Sequence, residues 1–232
     1  MHRNIVCRIR LLVDNLPIKI RNSRCLFEIA KIVFKLPKEL YTFREDYKNG
    51  RIVNLDSLYL KGSKMELKRS SKETDINSLH LDLIDKYIHA ERPSEIIDIG
   101  CGTGFLIQFL SEKNEYCQFL GIDFNLPDLY KKVKSKNINY IVGDVNSEIR
   151  DIPEKSFDIV ICTHFLEHIK KPNDLIVELR RIVRRKLIII VPLEKPYKWG
   201  LNYHINFFPT SKSFLDFVRS DDNASINYHS YE

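Results

Sequence analysis

"IIDIGCGTG" occupies residues 96–104, and how it is read decides the fold. An apolar run interrupted by Asp98 ends in Gly100, Gly102 and Gly104 at alternate positions. Glycine inside regular structure costs conformational entropy, so this spacing marks a loop that needs bare backbone or left-handed angles. The loop follows a buried-strand pattern and opens a helical stretch over 105–113, the setting in which glycine-rich loops meet ligands. A tight turn with no ligand is the plainer reading, but one glycine serves for that. A dinucleotide fingerprint would require a third glycine where Phe105 stands, counting from Gly100.

Further along, short Ile/Val-rich runs recur without polar alternation: "EIIDIG" (95–100), "FLGID" (119–123), "NYIV" (139–142), "FDIVIC" (157–162) and "KLIIIVP" (186–192). Runs of this kind suit strands buried on both faces. Helical stretches are expected between them at 105–113, at 127–134 after Pro127, and at 173–184 after Pro172. Strand alternating with helix gives an α/β fold, and right-handed crossovers make it a doubly wound, mostly parallel sheet. A loop at 193–209, a helix near 211–219 and a last strand over 224–231 are expected to follow. Upstream, 76–90 carries Leu79, Leu83 and Tyr87, with Ile84 and Ile88, on one helical face with Asn77 as cap. Residues 25–36 read as a strongly apolar helix, and 41–75 as polar and irregular with a turn at 48–50. The expected organisation is an N-terminal extension or lid over 1–75 and a catalytic domain over 76–232.

The 232 residues are 44% hydrophobic and 29% charged, the composition of an ordinary globular chain. No apolar run approaches the ~18 residues of a membrane span, and the basic residues scattered through the first fifteen positions do not make a signal peptide. Five cysteines without CxxC pairing read as reduced thiols of a cytoplasmic protein. Charge is uneven: residues 1–40 hold nine Lys/Arg and three Asp/Glu, which gives +6, the net charge of the whole chain. A uniformly basic nucleic-acid binder is excluded, and DNA is not an expected partner. A basic N-terminal arm remains.

Asp123 ends the second strand, where an acid can accept both hydroxyls of a ribose. "GDVN" (143–146) ends the third with Asp144, which as a turn residue after Gly143 has a plainer explanation. The ordered set "DIGCGTG", "GIDFN", "GDV" and "FDIVICTHFLEH", spanning about residues 95–170, resembles class I S-adenosylmethionine-dependent methyltransferases. The likeness is to their small-molecule, ubiquinone-pathway-like branch, with its Rossmann-like fold. The resemblance implies S-adenosyl-L-methionine as cofactor, with its methionine part lined by the backbone of Gly100, Cys101 and Gly102. Asp98 would orient the loop and hold the ammonium group. Asp123 would take the ribose hydroxyls, Phe124 would pack on the adenine, Asp144 and the Val145 N–H would read its edge, and Thr163 would lie beneath the cofactor.

Methyl transfer from a sulfonium is an in-line displacement governed by positioning and exclusion of water, and a hydroxyl acceptor gains from a base such as histidine. "THFLEH" (163–168) offers His164, Glu167 and His168. Three readings stand: a general base or substrate-positioning role for His168 with Glu167 orienting, a purely structural loop, or a divalent metal site. Metal-using branches of the family carry an acid where this chain has His164, so no metal is expected. "NYHINFFPT" (202–210) resembles a loop after strand five in small-molecule methyltransferases, with His204 as a third catalytic candidate. Tyr197, Trp199, Tyr203, Phe207 and Phe208 would wall an acceptor pocket or simply pack.

The expected reaction is methylation of a small-molecule, glycan-like or lipid-linked acceptor, at oxygen. The alternatives are an RNA 2′-O-methyltransferase and a cofactor-binding module without catalysis. RNA is the less favoured acceptor: "ELRRIVRRK" (178–186) and "KMELKRSSK" (64–72) are basic but lack interleaved aromatics. The 25–36 helix would dock on its own domain or, with the basic arm, contact a membrane surface. The family closes its sheet with a hairpin, whereas only one strand fits after residue 220.

Overall fold

The computed structural model describes residues 13, 15–34, 38–51, 76–124, 136–196, 198, 202–219 and 225–230. The helix expected at 127–134, the basic stretch 64–72, Tyr197, Trp199 and the first twelve residues lie outside them. The chain divides into two compact units, Leu60–Val191, and Met1–Tyr59 with Pro192–Glu232.

The first unit holds a five-stranded parallel sheet. Its strands are β1 (Glu95–Ile99), β2 (Gln118–Asp123), β3 (Ile138–Val142), β4 (Phe157–Thr163) and β5 (Val183–Ile190), in the order β3-β2-β1-β4-β5. Because the chain enters at the centre and leaves in both directions, right-handed crossovers put helices on opposite faces, and the sheet is doubly wound as expected. On one face, the helix Ser78–Glu91 and the helix Phe105–Lys113 pack Ile84, Ile88, Leu106, Ile107 and Leu110 against Ile96, Phe119, Ile159 and Ile161. Alternation sends Ile97, Ile99, Val160 and Cys162 to the other face, and the helix Pro172–Ile182 buries Leu175, Ile176, Leu179 and Ile182. Side chains of this size each contribute about 1.5–3 kcal/mol when fully buried.

Asn77 caps the Ser78–Glu91 helix, accepting from the His80 N–H at 2.9 Å. The fifth strand begins three residues earlier than its apolar run. Arg184 and Arg185, inside it, grip Asp158 across a bulge in the β4–β5 register.

The second unit contains helices Ile18–Arg21, Arg24–Phe34, Lys38–Lys48 and Ser211–Val218. The Lys38–Lys48 helix corrects the irregular reading of that stretch. Phe43 and Arg44 are 1% and 5% exposed, and Phe43 meets Tyr203 edge-on at 5.1 Å, so packing overrides a polar composition. The turn after it, ending at Gly50, is present. The strand expected over 224–231 does not form in its described part: residues 225–230 have no regular structure, and Ile226 and Tyr228 are exposed, so no burial rewards pairing.

Candidate active site

The site is built where the strands end. Asp98 on β1 lies in register with Gly121 on β2, and Asp123 follows two residues later. Alternation therefore places both carboxylates on the same face of the sheet, on neighbouring strands. Both are buried, Asp98 at 1% exposure and Asp123 at 7%. Asp123 Oδ2 accepts the Gly102 N–H at 2.9 Å. Asp98 Oδ1 is buried and has no hydrogen-bond partner among the described residues. Burial, and after it the charge of Asp123, raises the Asp98 carboxyl to about 8.

Between these acids the chain turns sharply. The N–H groups of Gly100 and Cys101 both donate to the Ile122 carbonyl, at 2.9 and 3.1 Å. Gly100 has φ +72, and a Cβ there would overlap the Phe165 ring. Gly102 has φ +56 and is exposed, and a Cβ there would meet nothing within 4 Å. The loop thus presents open backbone beside a buried carboxyl whose Oδ1 has no partner among the described residues. Such an arrangement can take a polar, positively charged group that approaches the backbone closely. Cys101 is buried beneath it, its thiol pushed up by burial and then by Asp98 and Asp123.

Phe124, half-buried, follows Asp123. Asp144 caps the short helix Val145–Glu148, accepting from the Asn146 N–H at 3.0 Å, and Val145 is buried behind it. The turn role weighed for Asp144 is therefore present in the structure. Thr163 ends β4, 8% exposed and in register with Ile190. The cofactor-site candidates, Asp98, Gly100, Cys101, Gly102, Asp123, Phe124, Asp144, Val145 and Thr163, thus all belong to the sheet unit, at or just beyond the carboxyl ends of β1 to β4.

His164 follows Thr163 with φ 50, a left-handed conformation uncommon for a residue with a side chain. Its N–H donates to the Ile190 carbonyl at 2.8 Å, and its Nδ1 lies 3.5 Å from Glu167 Oε1. Glu167 is 1% exposed. The Nε2 of His164 is buried without a hydrogen-bond partner among the described residues. His168 is half-buried in the turn Leu166–His168, with its N–H on the Phe165 carbonyl.

Sequence reading missed His80, whose ring centroid is 6.4 Å from that of His164. Burial first, and His164 second, lower its pKa.

His204 belongs to the other unit. There its Nδ1 meets Glu194 Oε2 at 2.5 Å, and Asn202 links Glu194 to Arg44, which stacks on Phe207. Glu194 is 1% exposed. Nothing in its local sequence announced it, because its partners lie on the far side of a turn.

Residues 97–191 match the family model described as a methyltransferase domain, and the five-stranded parallel sheet flanked by helices has the class I S-adenosylmethionine-dependent methyltransferase fold. Among curated proteins, the chain is 55% identical over 73 residues to a ribosomal RNA small subunit methyltransferase A of Mesomycoplasma hyopneumoniae, covering 31% of this chain and 28% of that one. It is 27% identical over 115 residues to a ubiquinone biosynthesis O-methyltransferase of Pseudomonas fluorescens, covering 47% and 48%. A solved structure of a SAM-dependent methyltransferase from Archaeoglobus fulgidus aligns at 22% identity and TM-score 0.35, covering 45% of this chain and 48% of that one. The chain spans less than half the length of either curated relative.

Proposed function

We propose that this protein is an S-adenosylmethionine-dependent methyltransferase that methylates a hydroxyl of a small-molecule or glycan-like acceptor. The observation that carries the reading is the pair of buried carboxylates on neighbouring strand ends, one holding the glycine loop and the other with an unpartnered oxygen beside it. Asp98 would receive the cofactor's ammonium group, and the backbone of Gly100, Cys101 and Gly102 would pass along its amino-acid part. Asp123 would take the ribose hydroxyls, Phe124, Asp144 and Val145 would hold the adenine, and Thr163 would lie below. When bound, the cofactor supplies an electrophilic methyl group on a sulfonium.

The chain's own part in the chemistry is to orient the acceptor, exclude water and take its proton. His164 is the base that the sheet unit supports best. Glu167 faces its Nδ1, which leaves Nε2 to accept the proton, and its neighbour Phe165 packs on Gly100. In this reading Glu167 is the orienting acid. His168 and His204 are rival bases, the latter already backed by Glu194. The ubiquinone relative's O-methylation supports oxygen as the target.

RNA is the second reading, favoured by the ribosomal RNA methyltransferase match. Against it, Arg181 pairs with Glu178, Arg184 with Asp158 and Glu95, Arg185 with Asp158, and Lys186 with Glu91. Those cations of the basic stretch serve the fold.

Mass spectrometry of ligands retained on the purified protein, followed by calorimetry with S-adenosylhomocysteine, tests the cofactor assignment. Absence of any binding would leave only a scaffold. Label transferred from methyl-labelled cofactor into fractionated small molecules rather than RNA would then identify the acceptor.

A further inference from the structure

Two neighbouring helices of the Met1–Tyr59 segment, here α1 (Ile18–Arg21) and α2 (Arg24–Phe34), leave apolar surface in water. In α1, Ile18 and Ile20 are 64% and 50% exposed, with exposed Lys19 between them. On α2, Phe27 turns inward at 6% exposure while Ile29 and Ile32 stand at 58% and 78%. Cys25, Ile29 and Ile32 are spaced four and three residues apart, so they form one stripe along the helix, with Arg24 exposed at its start. The carboxylate on this helix, Glu28, is neutralised by Lys31.

A single exposed isoleucine is ordinary, but four of them interspersed with exposed cations are a surface that lacks its partner. Charge says what kind of partner. Nine Lys/Arg against three Asp/Glu in residues 1–40 give +6, and the rest of the chain sums to zero. A second copy of the same face would carry the same charge and be repelled. An anionic surface with an apolar layer beneath satisfies both the isoleucines and the cations. No helix among the described residues is long and apolar enough to cross a membrane, so the geometry is that of a helix lying in the surface plane.

We propose that α1 and α2 anchor the protein on a lipid bilayer bearing anionic headgroups, with Ile18, Ile20, Ile29 and Ile32 entering the acyl boundary and Lys19 and Arg24 meeting the headgroups. This stands independently of the methyl acceptor.

The test is co-sedimentation of the full chain with vesicles of phosphatidylcholine alone or mixed with phosphatidylglycerol. Binding to the anionic vesicles is expected to exceed that to neutral ones by about tenfold or more and to weaken with salt, each removed cation costing roughly fivefold. Ile29→Asp with Ile32→Asp is expected to lower binding by at least about tenfold, and Lys19→Glu with Arg24→Glu to abolish the anionic preference. Unchanged melting and S-adenosylhomocysteine binding in these variants would show that the fold is intact. If a variant fails to fold, an environment-sensitive dye on Cys25, in a chain carrying Cys7→Ser, gives a second readout through its emission shift on adding vesicles. Equal pelleting with and without anionic vesicles overturns the proposal, as does unshifted dye emission. A dimer that dissociates on Ile29→Asp overturns it too, since the face would then join two copies.

Discussion

Asp98 and Asp123 face the same side of the sheet from adjacent strands, and of the two carboxyls the loop donates to that of Asp123, through the Gly102 N–H at 2.9 Å. Burial, reinforced by the Asp123 charge, raises Asp98 from its ordinary value of 3.8 to about 8. The folded protein therefore holds a proton that the unfolded chain releases, and stability falls as pH rises from 3.8 towards about 8. The contribution is fully present below that window and lost above it. Thermal melts across this range are expected to show the decline, and Asp98→Asn, which cannot ionise, to flatten it. A cationic ammonium beside Asp98 favours its charged form. Calorimetry of S-adenosylhomocysteine binding in buffers of different ionisation enthalpy is expected to show proton release near neutral pH, absent in Asp98→Asn.

Gly100→Ala combines two penalties, a left-handed backbone at φ +72 and overlap with the Phe165 ring. Together they are expected to cost about 2–4 kcal/mol in urea unfolding. Phe165→Ala in the same chain removes the overlap and leaves the backbone strain, so the double variant is expected to be less destabilised than the sum of the two single ones. Strict additivity would mean that the ring yields without cost.

The sheet was legible because strands buried on both faces are written as Ile/Val-rich runs, and the glycine loop because glycine takes its left-handed angles at the least cost. What stayed hidden depends on partners far along the chain. Lys38–Lys48 reads as polar loop, yet Phe43 and Arg44 bury it, and Arg44 reaches Asn202, 158 positions away. Glu194 meets His204, and His80 lies near His164, only in three dimensions. The expected strand at 224–231 failed for the converse reason: its local pattern was adequate, but residues 225–230 find no burial.

Asp158 closes the opposite edge of the sheet from the glycine loop. Its 5%-exposed carboxylate accepts the Ser94 N–H at 2.7 Å and the Ser94 hydroxyl at 2.8 Å, and it binds both Arg184 and Arg185. Burial alone would raise its pKa, but these donors outweigh it and hold the carboxyl well below the usual range. Its contribution to stability is thus present above the ordinary carboxylate value and lost as pH falls below it. Asp158→Ala removes the acceptor of the Ser94 N–H and one partner of each arginine, while Arg184 keeps Glu95 and Arg185 keeps the Glu91 carbonyl, and is expected to cost about 1–3 kcal/mol in urea unfolding. A loss within the ordinary scatter of surface substitutions would show that water replaces the carboxylate.

His164 and Glu167 give the proposed reaction its pH signature. A base must be neutral to take a proton, so the rate with the identified acceptor is expected to rise with pH and then level off. His164→Gln is expected to lower kcat about 10²–10⁴-fold and erase that limb, while S-adenosylhomocysteine affinity stays nearly unchanged. Glu167→Gln removes the charge facing Nδ1 but keeps the shape. It is expected to cut kcat more modestly, with KM little altered. A structural role for Glu167 would move stability and leave kcat in place. His168→Gln and His204→Gln are expected to keep the limb, and its disappearance in either would reassign the base to that residue.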